Sequence, residues 1–223
     1  MSTNTVDHRL LSEVEAKEWL QKAGIPVVET RLARTRAEAV SLGRQMGFPV
    51  AMKVISPDIS HKSDVGGVKL DLANPTQVEK AYSAMLTSIR EKLPKAKIDG
   101  VSIQKMAPSG IEIIMGMTKD AQFGPVLMFG LGGILVEILK DVSFRLVPLT
   151  GRDAAEMVRE IKGFALLKGY RGHDPVNISE IEKCLLKLSQ FIESNPQIKE
   201  LDLNPLMAYK EGVLAVDARI VLE

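Results

Sequence analysis

A chain of 223 residues, 45% apolar and 26% charged, is long enough to bury the core of one compact domain or of two small lobes, and its composition excludes disorder. Its 29 Lys and Arg balance 28 Asp and Glu, which excludes both a basic field for a nucleic-acid backbone and an acidic tail. The single Cys184 excludes an internal disulfide; beside the stripe Ile178, Ile181, Leu185, Leu188 and Ile192 it reads as an inert near-core thiol in a reducing compartment.

The opening "MSTNTVDHRLLSEVEAKEW" has no apolar h-region and does not read as a secretory signal. Ser12 with Glu15 forms a capping box, and Ala16, Trp19, Leu20 and Ala23 follow at helical spacing before Gly24 ends the helix. "IPVVETRL" is a short strand, "TRAEAVSLGRQMG" a helix capped by Thr35 and stopped by Gly47, and "FPVAMKVIS" the next strand. After the loop "SPDISHKSDVGGV" comes "GVKLDL", with Val68, Leu70 and Leu72 alternating. Asn74 and Pro75 then start a helix whose face is Val78, Ala81, Tyr82, Met85 and Ile89.

"PKAKIDG", short, polar and bounded by Pro94 and Gly100, reads as a seam between lobes. Beyond it strands dominate, in "VSIQKMA", "IEIIMGM", "PVLMFGL", "VSFRLVPL", "IKELDLNPLMAY" and "GVLAVDARIVL". Helices near 152–162 and 178–193 interrupt them, the second capped by Asn177 with Glu180. The apolar stretch "FGPVLMFGLGGILV" is broken by four glycines and a proline and is shorter than the roughly 20 residues of a membrane span. The pattern predicts an α+β protein, with a smaller α/β lobe at about 24–98 and a larger, mostly antiparallel lobe at about 100–223 that includes the helix at 12–23. A ligand is expected in a cleft between two such lobes.

Four constellations carry candidate chemistry. Lys53, in the apolar strand "PVAMKVI", either snorkels to an edge or holds an anion. In the loop, Gly66 and Gly67 allow close backbone approach and an anion-binding concavity, while His61 and Lys62 add a nucleophile and a cation, with Asp64 near enough to orient the ring. The glycine spacing does not fit a P-loop, and a solvated hairpin with an incidental histidine is the alternative. In "IQKMAPSGIEIIMGM", Gln104, Lys105 and Met106 end one strand, and Glu112 either accepts the hydroxyls of a ribose or faces solvent. In "ELDLNPLMAYKEGVLAVDAR", Asp202 and Asn204 share a strand face, and a turn about "KEG" brings Asp217 nearly opposite Asn204. Such an oxygen donor set suits Mg²⁺ bound jointly with nucleotide phosphates, the alternative being an ion pair with Arg219.

The order "AMK", His-Gly-Gly loop, "QKM…GIE" and "DLNPL…VDAR" resembles the ATP-grasp superfamily. Within it, "SPDISHKSDVGGV", "FGLGGILVEILKDVSFRLVPL" and "GYRG" resemble the β subunit of ADP-forming acetyl-CoA synthetases, relatives of succinyl-CoA synthetase. The resemblance covers nearly the whole chain, which is then a single ATP-grasp domain over 1–223 whose lobes hold ATP between them. It implies an acid–thiol ligase in which Lys53 contacts the nucleotide phosphates, Gln104, Lys105 and Met106 meet the adenine, Glu112 meets the ribose, and Asn204 and Asp217 hold Mg²⁺ with Asp202 beside them. It also implies that His61 is a phosphoryl carrier on a mobile loop. It further implies that the CoA site and a first phosphohistidine belong to an α subunit, in an α2β2 assembly with ATP or ADP as substrate; the balanced charge and the lack of a signal or span predict a cytoplasmic chain with no nucleic-acid or membrane partner.

Glu137 and Arg145 are further candidates for the cleft, and Tyr170 and Arg171 for a subunit interface; His8 and His173 read as surface residues. Two rivals stand beside this reading: an ATP-grasp carboxylate ligase without a phosphohistidine, and a non-catalytic nucleotide-binding module.

Overall fold

A computed structural model describes residues 9–59, 61–133, 140–170 and 174–223. The chain divides into two compact units, one of Ser12–Glu15 and Val28–Ala107, the other of the segment ending at Leu11, Ala16–Val27 and Pro108–Glu223. His8, Glu137, Arg171 and His173 lie outside the described residues.

In the smaller unit, β2 (Thr30–Ala33), β3 (Val50–Ile55), β4 (Val68–Leu72) and β5 (Gly100–Lys105) form an antiparallel sheet in the order β2-β5-β3-β4. Helices α2 (Arg36–Met46) and α3 (Pro75–Lys92) contribute to its core, where Val78, Met85 and Ile89 meet Met52, Val54 and Ile103. Thr35 and Glu38 close the expected capping box at α2, and the Asn74 side chain accepts the Gln77 amide at 3.0 Å to start α3.

One strand lies elsewhere than the sequence pattern suggested. "VSIQK", expected in the larger lobe, is β5 and fills the gap between β2 and β3. Its apolar residues Val101 and Ile103 enter the small core, and its polar ones, Ser102 and Gln104, are equally buried, as a central strand requires. "PKAKIDG" is therefore a connection inside the smaller unit. It is tied down where the Asp99 amide donates to the Ile55 carbonyl and the Lys97 amide to the Asp58 carboxylate.

In the larger unit, β1 (Arg9–Leu10), β6 (Ile111–Asp120), β7 (Gly124–Leu131), β8 (Val142–Leu146), β9 (Ile198–Ala208) and β11 (Arg219–Leu222) form an antiparallel sheet in the order β1-β11-β9-β6-β7-β8. β10 (Val213–Ala215) joins β9 on the same side as β11. Helix α1 (Glu13–Lys22) gives this core Ala16 and Leu20; α4 (Gly151–Glu160), the short α5 (Phe164–Leu167) and α6 (Ile178–Ser194) give it Met157, Leu167, Leu185 and Leu188. The α+β class read from the sequence is the one observed. Cys184 sits on the buried face of α6, and burial pushes its thiol up to about 12, so the thiolate that would react is suppressed. No helix among the described residues is long and apolar enough to cross a membrane.

The same substitution is expected to read differently at two leucines. Leu188 is fully buried, and Leu188→Ala should cost about 2–5 kcal/mol; Leu70 is 56% exposed on β4, and Leu70→Ala should cost no more than about 0.5 kcal/mol. Urea denaturation of the two variants measures both values.

Candidate phosphoryl-transfer site

All six residues of β3 are buried, and β3 lies between β4 and β5, so Lys53 has no sheet edge to reach. Snorkelling to an edge is thereby removed, and the ammonium pairs with a carboxylate of the chain itself. Lys53 Nζ donates to Glu13 Oε1 at 2.8 Å, with Lys53 and Glu13 each only 5% exposed. Lys62 Nζ donates to the other carboxylate oxygen of Glu13 at 3.0 Å. A buried carboxylate in the first turn of α1 thus holds the strand lysine and the loop lysine together, in the geometry a buried charge requires.

The loop that carries Lys62 presents His61 at the surface. Its two glycines do a different task from the one expected of them. The Gly66 amide donates to the Ser63 carbonyl at 3.0 Å and the Gly67 amide to the Lys62 carbonyl at 2.7 Å, so these amides build the turn itself rather than a concavity for an anion. Gly66 has φ of 75°, which favours glycine. A Cβ on Gly67 would stand 2.6 Å from Val54 Cγ1, and the Gly67 carbonyl accepts the Val54 amide at 2.8 Å. The loop is therefore seated against β3 beside Lys53. The Ser88 hydroxyl and the Lys92 ammonium of α3 hold it from the other end through the carbonyls of Val65 and Asp64.

Gln104 is buried on β5 opposite Ala51, one position before the exposed Lys105. The Lys105 amide donates to the Glu29 carbonyl and the Met106 amide to that of Pro49.

In the larger unit, Glu112 is exposed on β6 opposite Met207, and its carbonyl accepts the Gly132 amide at 2.8 Å. A Cβ on Gly133 would lie 3.0 Å from Glu112 Oε2, so the glycines of "GLGG" make room for this side chain. Arg145 is drawn away from the role expected of it, because its guanidinium pairs with Glu160 at 2.8 Å and Glu156 at 3.6 Å on α4. Ala215 pairs with Leu206 and Arg219 with Asp202, so Asp217 lies in the short turn between β10 and β11, alongside the stretch of β9 that carries Asn204. The turn between β10 and β11 is pinned where the Val216 amide donates to the Pro205 carbonyl and the buried Lys17 donates to the Val216 carbonyl at 2.7 Å. Arg219 pairs across the sheet with Glu200.

Burial pushes the Asp202 carboxyl above the ordinary carboxylate range; Arg219 pulls it down and Asp217 pushes it further up. Among the described residues no three His, Cys, Asp or Glu converge as a protein-only metal cage. Two carboxylates and an amide instead make a hard oxygen set, fitting Mg²⁺ whose remaining ligands are water and phosphate.

Residues 3–222 match the family model of the ATP-grasp domain. The chain belongs to the ATP-grasp family. This ATP-grasp chain is 49% identical to the β subunit of an ADP-forming acetate–CoA ligase I from Pyrococcus furiosus, over 97% of this chain and 93% of that one. It is 47% identical to a longer ADP-forming acetate–CoA ligase I from Archaeoglobus fulgidus, over 91% of this chain but only 30% of the relative. It superposes with a TM-score of 0.84 and 44% identity on an acetyl-coenzyme A synthetase from Candidatus Korarchaeum cryptofilum, covering 96% of this chain and 93% of that one. That structure was solved with coenzyme A and Mg-AMPPCP, its phosphohistidine segment pointing towards the nucleotide-binding site.

Sequence reasoning missed Glu13 and Lys17. An acidic residue in a first helical turn has a sufficient local reason in the helix dipole, and nothing local reveals a partner 40 or 49 residues away.

Asp202 yields a prediction with a definite sign. Its raised carboxyl favours the neutral form in the folded chain. The stability this brings is full below the ordinary carboxylate pKa, near pH 4, and is lost as pH rises through the raised value. Asp202→Asn, which mimics the neutral form, should raise the denaturation midpoint at neutral pH and converge with wild type in acid. A difference that did not vary with pH would reject a charge effect.

Proposed function

We propose that this chain is the nucleotide-binding β subunit of an ADP-forming acyl-CoA synthetase, an acid–thiol ligase interconverting acyl-CoA, ADP and phosphate with carboxylic acid, CoA and ATP. The observation that carries the reading is the exposed His61 on a loop seated beside the buried Lys53. The relatives named as such ligases, and the phosphohistidine segment named for one of them, support it.

In the ATP-consuming direction, an imidazole nitrogen of His61 attacks the γ-phosphorus. The new N–P bond forms as the bond from phosphorus to the bridging oxygen breaks, and ADP leaves with that electron pair. In the ATP-forming direction, a terminal oxygen of ADP takes the phosphoryl group and the imidazole is released. Lys53 balances charge on the transferred group, and Gln104 to Met106 hold the base. Glu112 accepts the ribose hydroxyls, while Arg145 stays with α4. Asn204 and Asp217, with Asp202 beside them, would hold Mg²⁺, which when bound neutralises phosphate charge. The partner is an α subunit carrying the CoA site and the first phosphohistidine, in an α2β2 assembly in the cytoplasm. The longer single-chain relatives, of which this chain spans about a third or less, support such a partner. The chain serves as one ATP-grasp domain, with Glu112, Asn204 and Asp217 on one unit and Lys53 and His61 on the other.

Incubation of the full chain with Mg-ATP at neutral pH, followed by intact mass measurement, tests the reading. One acid-labile phosphoryl group is expected on wild type and none on His61→Ala or after chelation of Mg²⁺. No gain on wild type, even with the α subunit added, would leave a ligase without a phosphohistidine or a binding module.

A further inference from the structure

Glu13 lies on α1, ahead of every strand of the smaller unit, and has no part in the chemistry proposed above. Its carboxylate is nevertheless buried, and two ammonium groups of different kinds converge on it. Lys53 is fixed in a central strand, whereas Lys62 belongs to the loop and is the residue next to His61. Adjacent α-carbons are 3.8 Å apart, so whatever holds Lys62 also limits where the His61 backbone can go. The Lys62 side chain is 25% exposed, against 2% for Glu13, so the loop end of the pair is the end open to water and to exchange of partners.

We infer that Glu13 is a positioning residue for phosphoryl transfer. Its carboxylate orients the Lys53 ammonium and tethers Lys62, so that the His61 loop rests against β3 until phosphate oxygens replace the carboxylate as the partner of Lys62. A phosphoryl group entering beside them meets ammonium groups already aimed at an anion. The role in transfer rests on the proposed function of His61; the tether itself does not.

Hydrogen–deuterium exchange on the full chain tests the tether. Peptides spanning 61–67 should exchange faster in Glu13→Gln and in Lys62→Met, with α6 unchanged, and the double variant should be no faster than the quicker single one, because both changes break the same tie. Additive effects, or a loop as protected in either single variant as in wild type, overturn the inference. Should Glu13→Gln loosen α6 as well, the more exposed Lys62→Met carries the test.

In the enzyme assembled with its α subunit, Glu13→Gln should raise KM for ADP about tenfold, the worth of one charge-assisted hydrogen bond to Lys53, whereas Lys62→Met should alter kcat and leave that KM in place. Unchanged kinetics in Glu13→Gln reject the positioning role. Failure of the His61 reading shows instead as a wild-type chain that takes up no phosphoryl group while its loop exchange still depends on Glu13.

Discussion

An ammonium inside a strand with no exposed residue must find an anion within the protein, and in the smaller unit that constraint organises everything near the loop. Lys53 meets Glu13, Glu13 meets Lys62, and Lys62 opens the turn that Gly66 and Gly67 complete. Replacing such a pair by apolar side chains often leaves a fold as stable or more so. Its presence in the middle of an otherwise apolar strand is therefore better explained by what the ammonium does than by what it adds to stability.

The larger unit shows the same preference from the other sign of charge. Asp202 is half-buried in β9 with its carboxyl pushed above the ordinary range, and Asp217 adds to the repulsion. A strand selected for stability alone would carry a neutral residue there. Two carboxylates that raise each other's energy suit a site that a divalent ion completes, since the ion turns the repulsion into attraction. The backbone around them is braced to match: Lys17 and the Pro205 carbonyl hold the turn that carries Asp217.

Much of this was legible in the chain. Alternation and capping residues located most helices and strands, because each depends on neighbours within a turn or two. The hairpin that folds β10 and β11 back along β9 is equally local, and both strands pair with β9 as that spacing implies. What failed was long-range. "VSIQK" reads as well in either lobe, and only its pairing with β2 and β3 decides. Arg145 alternates onto the face of its strand that α4 covers, where Glu156 and Glu160 compete for it, and no spacing along β8 announces that. Glycine was misread for a related reason. A Gly-Gly pair signals that something approaches the backbone closely, and at Gly67 that something is the chain's own β3 rather than a ligand.

The turn's own hydrogen bonds also bear on how the loop proposed to carry phosphoryl could be both seated and released. A turn whose amides were reserved for phosphate would be poorly ordered without it. A turn that satisfies its own amides keeps its shape, and can move as a unit when the contacts at its ends exchange. Its polar contacts are a lysine on a carboxylate, a hydroxyl and a second lysine on carbonyls, and one strand-like bond to Val54, while Val65 packs against the small core. Each polar contact can be traded for water or for phosphate oxygens at little net cost. A histidine proposed to collect a phosphoryl group at one place and deliver it at another suits such a mounting, internally rigid and held at its ends by exchangeable polar contacts.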